Sequence, residues 1–185
     1  MAAQRRGTTD PMAPAQRAAC VIGWPVAHSR SPLIHGYWIK QHKLAADYRR
    51  EALKPEEVAD FFANLSARGY VGCNVTLPHK EAALAASTPD DRARAVGAAN
   101  TLWLEGGKLL STNTDVEGFT SNLHAAVPDW DRDQREAVVL GAGGSARAVV
   151  YGLIERGFGK ILAAGSIAAK NGGVASGPAY VASKA

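Results

Sequence analysis

The chain alternates between short apolar runs, which predict buried strands, and longer segments with helical spacing. The clearest helical spacing joins Val58, Phe61, Phe62 and Leu65, which recur at i, i+3, i+4 and i+7 and predict one buried helix face. A regular alternation of strands and helices predicts an α/β fold with a mostly parallel sheet. The predicted strands cover 18–23, 47–52, 71–75, 101–105, 108–112, 137–140 and 160–164, and the predicted helices cover 31–42, 55–68, 80–86, 90–96, 117–127 and 144–156.

Turn residues between these segments refine the prediction. Ser31 before Pro32 predicts a helix N-cap with proline in the first helical position. Gly69 is expected to stop the helix that begins at Pro55. The Gly-Gly pair at 106–107 separates two strand-like segments and predicts a β-hairpin.

The same pattern predicts how the chain is divided into domains. Residues 1–17 have no periodicity and are rich in Ala, Arg, Thr and Pro, which indicates a disordered tail. Residues 18–127 are expected to form a three-layer, mostly parallel α/β domain that binds substrate and carries the catalytic groups. The polar segment 128–135 is the expected boundary, and 136–185 is expected to be part of a truncated, Rossmann-like dinucleotide-binding domain.

Charge and composition narrow the function classes. The excess of 21 Lys and Arg over 17 Asp and Glu gives a net charge of +4, which suits anionic small ligands. No basic block carries interleaved aromatic residues, so we expect no nucleic-acid partner. No apolar run approaches the roughly 20 residues that span a bilayer, so no membrane partner is expected either. Cys20 and Cys73 lie in apolar strands and are expected to be buried thiols of a cytoplasmic protein. We expect no metal site, and a monomer or a homodimer.

A glycine-rich turn lies between the predicted strand 137–140 and the predicted helix 144–156. It fits the pattern G-x-G-x-x-G/A, in which glycine permits a tight turn and lets the backbone approach a pyrophosphate at the helix N-terminus. A purely structural turn is the alternative. The predicted cofactor-binding residues are Gly141, Ala142, Gly143, Gly144, Ser145 and Ala146. No Asp or Glu follows Glu155 to hold the ribose 2′-hydroxyl of NAD, and this absence favours NADP.

Polar residues follow several predicted strands, at the edge where open α/β sheets bind ligands. Ser29 and Ser31, in G-W-P-V-A-H-S-R-S-P, could bind a carboxylate through their hydroxyls and backbone amides, although Ser31 could be only an N-cap. Asn74 and Thr76 belong to N-V-T-L-P-H-K, which we expect to lie at the same edge of the sheet. Asn100, in G-A-A-N-T, offers a donor and an acceptor to a ligand hydroxyl, or is simply a turn residue.

Two charged residues of these motifs are candidates for proton transfer. Lys80 could donate or accept a proton if it lies in a partly enclosed site, although a single lysine is usually a solvated surface charge. Asp115, in N-T-D-V-E-G-F, could pair with Lys80 across the crevice, or could only cap a helix. We therefore predict that Lys80 and Asp115 meet over one crevice, near both serines.

Taken in order, these four polar motifs and G-A-G-G-S-A-R-A resemble the shikimate dehydrogenase family over about residues 18–162. The resemblance implies reversible, NADPH-dependent reduction of 3-dehydroshikimate to shikimate in aromatic amino-acid biosynthesis. It implies that Ser29 and Ser31 bind the substrate carboxylate. It also implies that Thr76, Lys80, Asn100 and Asp115 hold the ring hydroxyls, with Lys80 and Asp115 as the catalytic pair.

The sequence after about residue 163 departs from that family. Ser166, Tyr180 and Lys184 resemble the active-site Ser and Tyr-x-x-x-Lys of short-chain dehydrogenases, over only some twenty residues. We interpret this segment as a join between two genes or as a truncated product, and expect weak NADP binding and weak or no turnover. The alternatives are a non-catalytic product that only binds shikimate-like ligands, and a quinate/shikimate dehydrogenase that uses NAD.

Overall fold

The computed structural model describes residues 17–132, 136–158 and 160–164. The strands are β1 (Arg17–Gly23), β2 (Ala46–Ala52), β3 (Tyr70–Val75), β4 (Thr88–Pro89), β5 (Thr101–Glu105), β6 (Lys108–Thr112), β7 (Glu136–Leu140) and β8 (Lys160–Ala164). The helices are α1 (Ser31–Gln41), α2 (Val58–Ala63), α3 (Lys80–Ala85), α4 (Asp91–Val96), α5 (Asp115–Ala126) and α6 (Gly144–Glu155), with a 3₁₀ turn at Pro55–Glu57. None of the helices in these ranges is long and apolar enough to cross a bilayer.

Two sheets organise the described chain. The larger has six strands in the order β2-β1-β3-β5-β6-β4, and the smaller pairs β7 with β8. In the larger sheet β1 pairs in parallel with β2 and β3, and β4 with β6, whereas β5 runs antiparallel to β3 and β6. The predicted α/β class with a mainly parallel sheet is therefore confirmed, and β5 and β6 form the predicted hairpin. Its turn uses Gly106 and Gly107 at φ of 57° and 77°, angles that favour glycine.

The main core lies on one face of the six-stranded sheet. Alternate residues of β1 belong to it together with buried apolar residues of α2, α3 and α4, because side chains on successive strand residues face opposite ways. The central members are Ala18, Cys20, Ile22, Phe61, Phe62, Leu65, Cys73, Val75, Ala83 and Ala93. Helix α1 contacts β1 and β2, and its His35 stacks on Tyr48 at a ring-centroid distance of 4.0 Å. Both cysteines are buried and free, as predicted.

The smaller sheet is a single βαβ unit, in which α6 connects the parallel strands β7 and β8. Helix α6 packs on α5, and the two approach closely at Gly152, where a Cβ atom would lie 2.9 Å from Thr120 Cγ2. A smaller core, which contains Val96, Val116 and Ala148, joins α4, α5 and α6. This packing fixes the position of the glycine-rich turn relative to the larger sheet.

Three local predictions at helix ends and strand starts were wrong. Ser31 is the first residue of α1 and the cap position is Arg30, which makes no side-chain cap bond. The helix after Pro55 ends at Ala63 rather than at Gly69. At this end, Asn64 Nδ2 donates to the Asp60 carbonyl 3.1 Å away and competes with the backbone hydrogen bonds of the helix. Arg17 belongs to β1, not to a disordered tail, and residues 1–16 lie outside the described residues.

The predicted boundary segment 128–135 has a polar composition, but it contains one buried aromatic residue. Its Trp130 is only 5% exposed and stacks on Phe158 at a centroid distance of 5.4 Å. Trp130 therefore packs against the residues that follow α6 rather than lying free on the surface. The short-chain-dehydrogenase-like residues Ser166, Tyr180 and Lys184 lie outside the described residues.

Candidate active site

A crevice of about 330 Å³ opens beside the carboxyl ends of β1 and β3. It brings together every residue predicted to contact substrate or to transfer a proton. Its lining is Val21, His28, Ser29, Ser31, His35, Asn74, Val75, Thr76, Lys80, Asn100 and Asp115. The chain reverses after each of these strands, so loops and helix starts from distant segments supply polar groups to one edge of the sheet.

Lys80 and Asp115 form an ion pair in this crevice. The Lys80 Nζ atom donates to Asp115 Oδ2 over 2.6 Å, and their side chains are only 11% and 29% exposed. Lys80 is the first residue of α3 and Asp115 is the first residue of α5, so two helix starts carry the pair. Asp115 thus directs its carboxylate at the lysine, and Thr114 occupies the cap position of α5.

Asn100 fixes the other oxygen of Asp115. Its Nδ2 donates to Asp115 Oδ1 over 2.7 Å, while its Oδ1 accepts from the Thr114 backbone N–H over 2.9 Å. Because the Thr114 N–H can only donate, the Asn100 amide cannot be turned around without losing both bonds. The carboxylate therefore has one donor at each oxygen.

The loop after β1 holds its two serines close together. The Ser31 backbone N–H donates to Ser29 Oγ over 3.3 Å, and the Ser29 hydroxyl donates to Ser31 Oγ over 3.2 Å. The guanidinium of Arg50 donates from Nε and Nη2 to the Ser29 carbonyl, at 2.9 and 2.6 Å. Hydroxyls arranged next to a cation suit an anionic ligand group such as a carboxylate.

His28 and His35 line the crevice but were not among the predicted site residues. His35 Nδ1 is 2.8 Å from the Ser31 carbonyl, one helical turn away, and its ring stacks on Tyr48. The Tyr48 hydroxyl donates to Asn74 Oδ1 over 2.6 Å, and burial raises the pKa of Tyr48. The sequence signal for His35 was its position one helical turn after Ser31. The signal for His28 was its position directly before Ser29.

The glycine-rich turn fits a dinucleotide pyrophosphate. Gly141 has φ of 133°, which side chains rarely adopt, and Gly143 is extended at the cap of α6 without a side-chain cap bond. Open space surrounds the position of a Gly143 Cβ atom within 4 Å. The backbone N–H groups of the first turn of α6 can therefore face an anion.

This turn adjoins the crevice through the start of α6. A Cβ atom at Gly144 would lie 3.0 Å from Ala98 Cβ and 3.4 Å from Lys80 Cδ, so a glycine permits the close approach. Ser145 Oγ accepts a hydrogen bond from Lys80 Nζ over 2.9 Å, and Arg147 forms an ion pair with Glu81. Within the described residues no cluster of His, Cys, Asp and Glu could hold a metal ion.

The chain is similar in sequence to proteins of one known family. Residues 21–102 match the family model of the shikimate dehydrogenase substrate binding domain. The chain is 63% identical over 145 residues to shikimate dehydrogenase (NADP(+)) of Nitrobacter winogradskyi, covering 78% of this chain and 52% of the relative. It is 66% identical over 143 residues to the same enzyme of Afipia carboxidovorans, covering 77% and 51%.

A solved structure shares the fold as well as the sequence similarity. The shikimate 5-dehydrogenase of Thermus thermophilus, in complex with NADP(H) and shikimate, superposes with a TM-score of 0.71 at 36% identity. The match covers 79% of this chain and 54% of that one. The chain spans about half the length of the curated relatives that it matches.

Proposed function

Since this chain belongs to the shikimate dehydrogenase family over the residues that it shares with those relatives, we propose that it binds shikimate and interconverts shikimate and 3-dehydroshikimate with NADP. The observation that carries the proposal is the 2.6 Å ion pair of Lys80 and Asp115 in the polar crevice. The similarity to shikimate dehydrogenases supports shikimate as the substrate, and the polar lining of the crevice supports binding of its carboxylate and hydroxyls.

The proposed substrate orientation follows from the charges around the crevice. Ser29 and Ser31 would bind the carboxylate of shikimate, because their hydroxyls and the nearby Arg50 guanidinium favour an anion. At the other end, Thr76, Asn100 and Asp115 would bind the ring hydroxyls. A volume of about 330 Å³ suits a ligand of this size.

Lys80 would hold the proton that moves to or from the reacting oxygen. In the direction of reduction, its ammonium gives a proton to the oxygen that develops negative charge, and in the direction of oxidation its amine accepts that proton. Asp115 would keep the ammonium in place and accept a hydrogen bond from the neighbouring hydroxyl. A lysine ammonium has three N–H donors, so Lys80 could donate to Asp115 and to a ligand at the same time.

The glycine-rich turn would hold the pyrophosphate of NADP. Gly141, Ala142, Gly143 and Ala146 supply backbone that can approach the phosphates closely, and Gly144 and Ser145 begin the helix that faces them. When bound, the nicotinamide supplies or accepts the hydride.

Calorimetric titration with shikimate and absorbance of NADPH at pH 8 test the two parts of the proposal separately. We expect the wild-type chain to bind shikimate and to reduce NADP only slowly, and Lys80→Ala to remove this turnover while its circular dichroism spectrum is unchanged. Lys108→Ala, at an exposed position of β6, is the matched control and should retain the wild-type rate. An unchanged rate in Lys80→Ala would remove this lysine from the mechanism.

Binding without turnover in the wild-type chain would favour the alternative of a non-catalytic shikimate-binding chain. Absence of both binding and turnover would contradict the proposed function as a whole. A rate with NAD that exceeds the rate with NADP would favour the NAD-dependent quinate/shikimate alternative.

Two further proposals concern the cellular compartment and the oligomeric state of the chain. Cys20 and Cys73 face each other in register on β1 and β3 as buried free thiols, which supports a reducing compartment such as the cytoplasm. A homodimer would have a surface on α1, whose Leu33, Tyr37 and Trp38 are exposed, and sedimentation velocity distinguishes it from a monomer.

A further inference from the structure

The ammonium of Lys80 is held from two directions by groups on two different helices. Its Nζ atom donates to Asp115 Oδ2 on α5 over 2.6 Å and to Ser145 Oγ on α6 over 2.9 Å. Both distances are those of well-formed hydrogen bonds from a charged nitrogen. A lysine ammonium has three N–H donors, so these two acceptors leave one N–H for a ligand in the crevice.

The rest of the lysine side chain is also held by α6. Its Cδ and Cβ atoms would lie 3.4 and 3.5 Å from a Cβ atom at Gly144, and the whole residue is only 9% exposed. A flexible four-carbon chain loses much rotamer freedom when its stem is packed and its end is bonded at two places. The first turn of α6 therefore lies close to the stem of the lysine as well as to its ammonium.

From this geometry we propose that Ser145 is a positioning residue for Lys80, which links the glycine-rich turn to the group that transfers the proton. The proposal deepens the proposed function and rests on it for the role of Lys80. Ser145 acts through the lysine, because its oxygen accepts one N–H and thereby aims the remaining N–H into the crevice. Its own hydroxyl proton stays available to an anion at the start of α6, and such a bond strengthens the oxygen as an acceptor.

Substitutions at Ser145 separate this role from a purely structural one. Ser145→Ala removes the acceptor, Ser145→Thr retains a hydroxyl, and Ser121→Ala removes an exposed serine of the neighbouring helix α5 as a control. The first readout is the 1H–15N spectrum of the lysine ammonium groups at pH 6 without ligand, with the Lys80 signal assigned by its loss in Lys80→Arg. The second is the calorimetric Kd for shikimate.

We expect a slowly exchanging Lys80 ammonium signal in the wild-type chain, in Ser145→Thr and in Ser121→Ala. In Ser145→Ala the hydrogen exchange of this group should accelerate, and the Kd for shikimate should rise about fivefold, as expected from one partly exposed hydrogen bond. Ser145→Thr should restore both values to within about twofold of wild type.

Equal exchange rates in wild type and Ser145→Ala would overturn the proposal, as would an unchanged Kd in Ser145→Ala when the wild-type chain binds shikimate. Failure of Ser145→Thr to restore either value would also contradict it. Because the exchange measurement needs no ligand, it tests the contact even if the wild-type chain does not bind shikimate, a result that would count against the proposed function alone.

Discussion

Replacing Asp115 with asparagine should destabilise the chain, although the two side chains have nearly the same shape. The carboxylate accepts from Lys80 Nζ at one oxygen and from Asn100 Nδ2 at the other. Asparagine keeps one acceptor and introduces a donor, so one of these two donors must face another donor. The Asn100 amide cannot reverse to relieve this contact, since its oxygen accepts from the Thr114 N–H.

The size of the effect follows from the burial of the pair. Removing one partner of a fully buried ion pair costs about 3–5 kcal/mol, because an uncompensated charge remains. The Asp115 side chain is 29% exposed and Ser145 still accepts from the lysine, which lowers the cost. We therefore expect Asp115→Asn to lower the free energy of unfolding by about 2 kcal/mol, roughly a thirtyfold change in the folding equilibrium.

Urea unfolding followed by far-ultraviolet circular dichroism measures this difference. The informative comparison is Lys80→Met, which removes the buried ammonium and leaves a partly solvated carboxylate bonded to Asn100. This variant should lower the free energy of unfolding by only about 0–1 kcal/mol. Asp129→Asn, at an exposed ion pair with Arg132, should change stability by less than about 0.5 kcal/mol. If Lys80→Met were as destabilising as Asp115→Asn, an unpaired ammonium would not be the cause of the lost stability in Asp115→Asn.

Two other measurements test the fold itself. In Gly72→Ala the new Cβ would lie 2.5 Å from the Leu102 carbonyl oxygen on β5, so we expect a loss of about 2 kcal/mol or more in urea unfolding, whereas Gly36→Ala on α1, with open space around it, should not destabilise the chain. Equal stabilities of the two variants would contradict the close approach of β3 and β5. Burial, and then the hydrogen bond to Glu51, raise the pKa of Tyr70 from 10.0 to about 12. The folded chain thus keeps a proton that the unfolded chain loses, so the contribution of Tyr70 to stability is complete below pH 10 and is lost as the pH rises towards 12. Wild type should lose more stability than Tyr70→Phe between pH 9 and 11, and parallel losses would refute this assignment.

Hydrophobic periodicity was sufficient to predict most of the elements, because each strand and helix of the main core has a buried face. It was insufficient for β4, which has only two residues, Thr88 and Pro89, and therefore no periodicity to detect. The end of α2 at Ala63 was also missed, since Leu65 continues the apolar spacing and is buried although it lies beyond the helix.

The candidate site was predictable where polar residues directly follow strands, since those strand ends converge at one edge of the sheet. Thr76 directly follows β3, Ser29 lies in the loop after β1 and Asn100 directly precedes the antiparallel strand β5; all three line one crevice. The contact of Lys80 with Ser145 joins residues 65 positions apart and depends on how α6 packs on α4 and α5, so no local pattern could indicate it. The roles of these residues in binding and proton transfer remain predictions.

The close packing of α5 on α6 gives residues far from the crevice an influence on its chemistry. At Gly152 any side chain would meet Thr120 Cγ2 at 2.9 Å and push the two helices apart. Because Asp115 begins one of these helices and Ser145 lies in the first turn of the other, a shift between the helices would change the distances at the ammonium of Lys80. Substitutions that tune the proposed activity can therefore be sought along the whole α5–α6 contact, where a directed-evolution library confined to the crevice would not reach them.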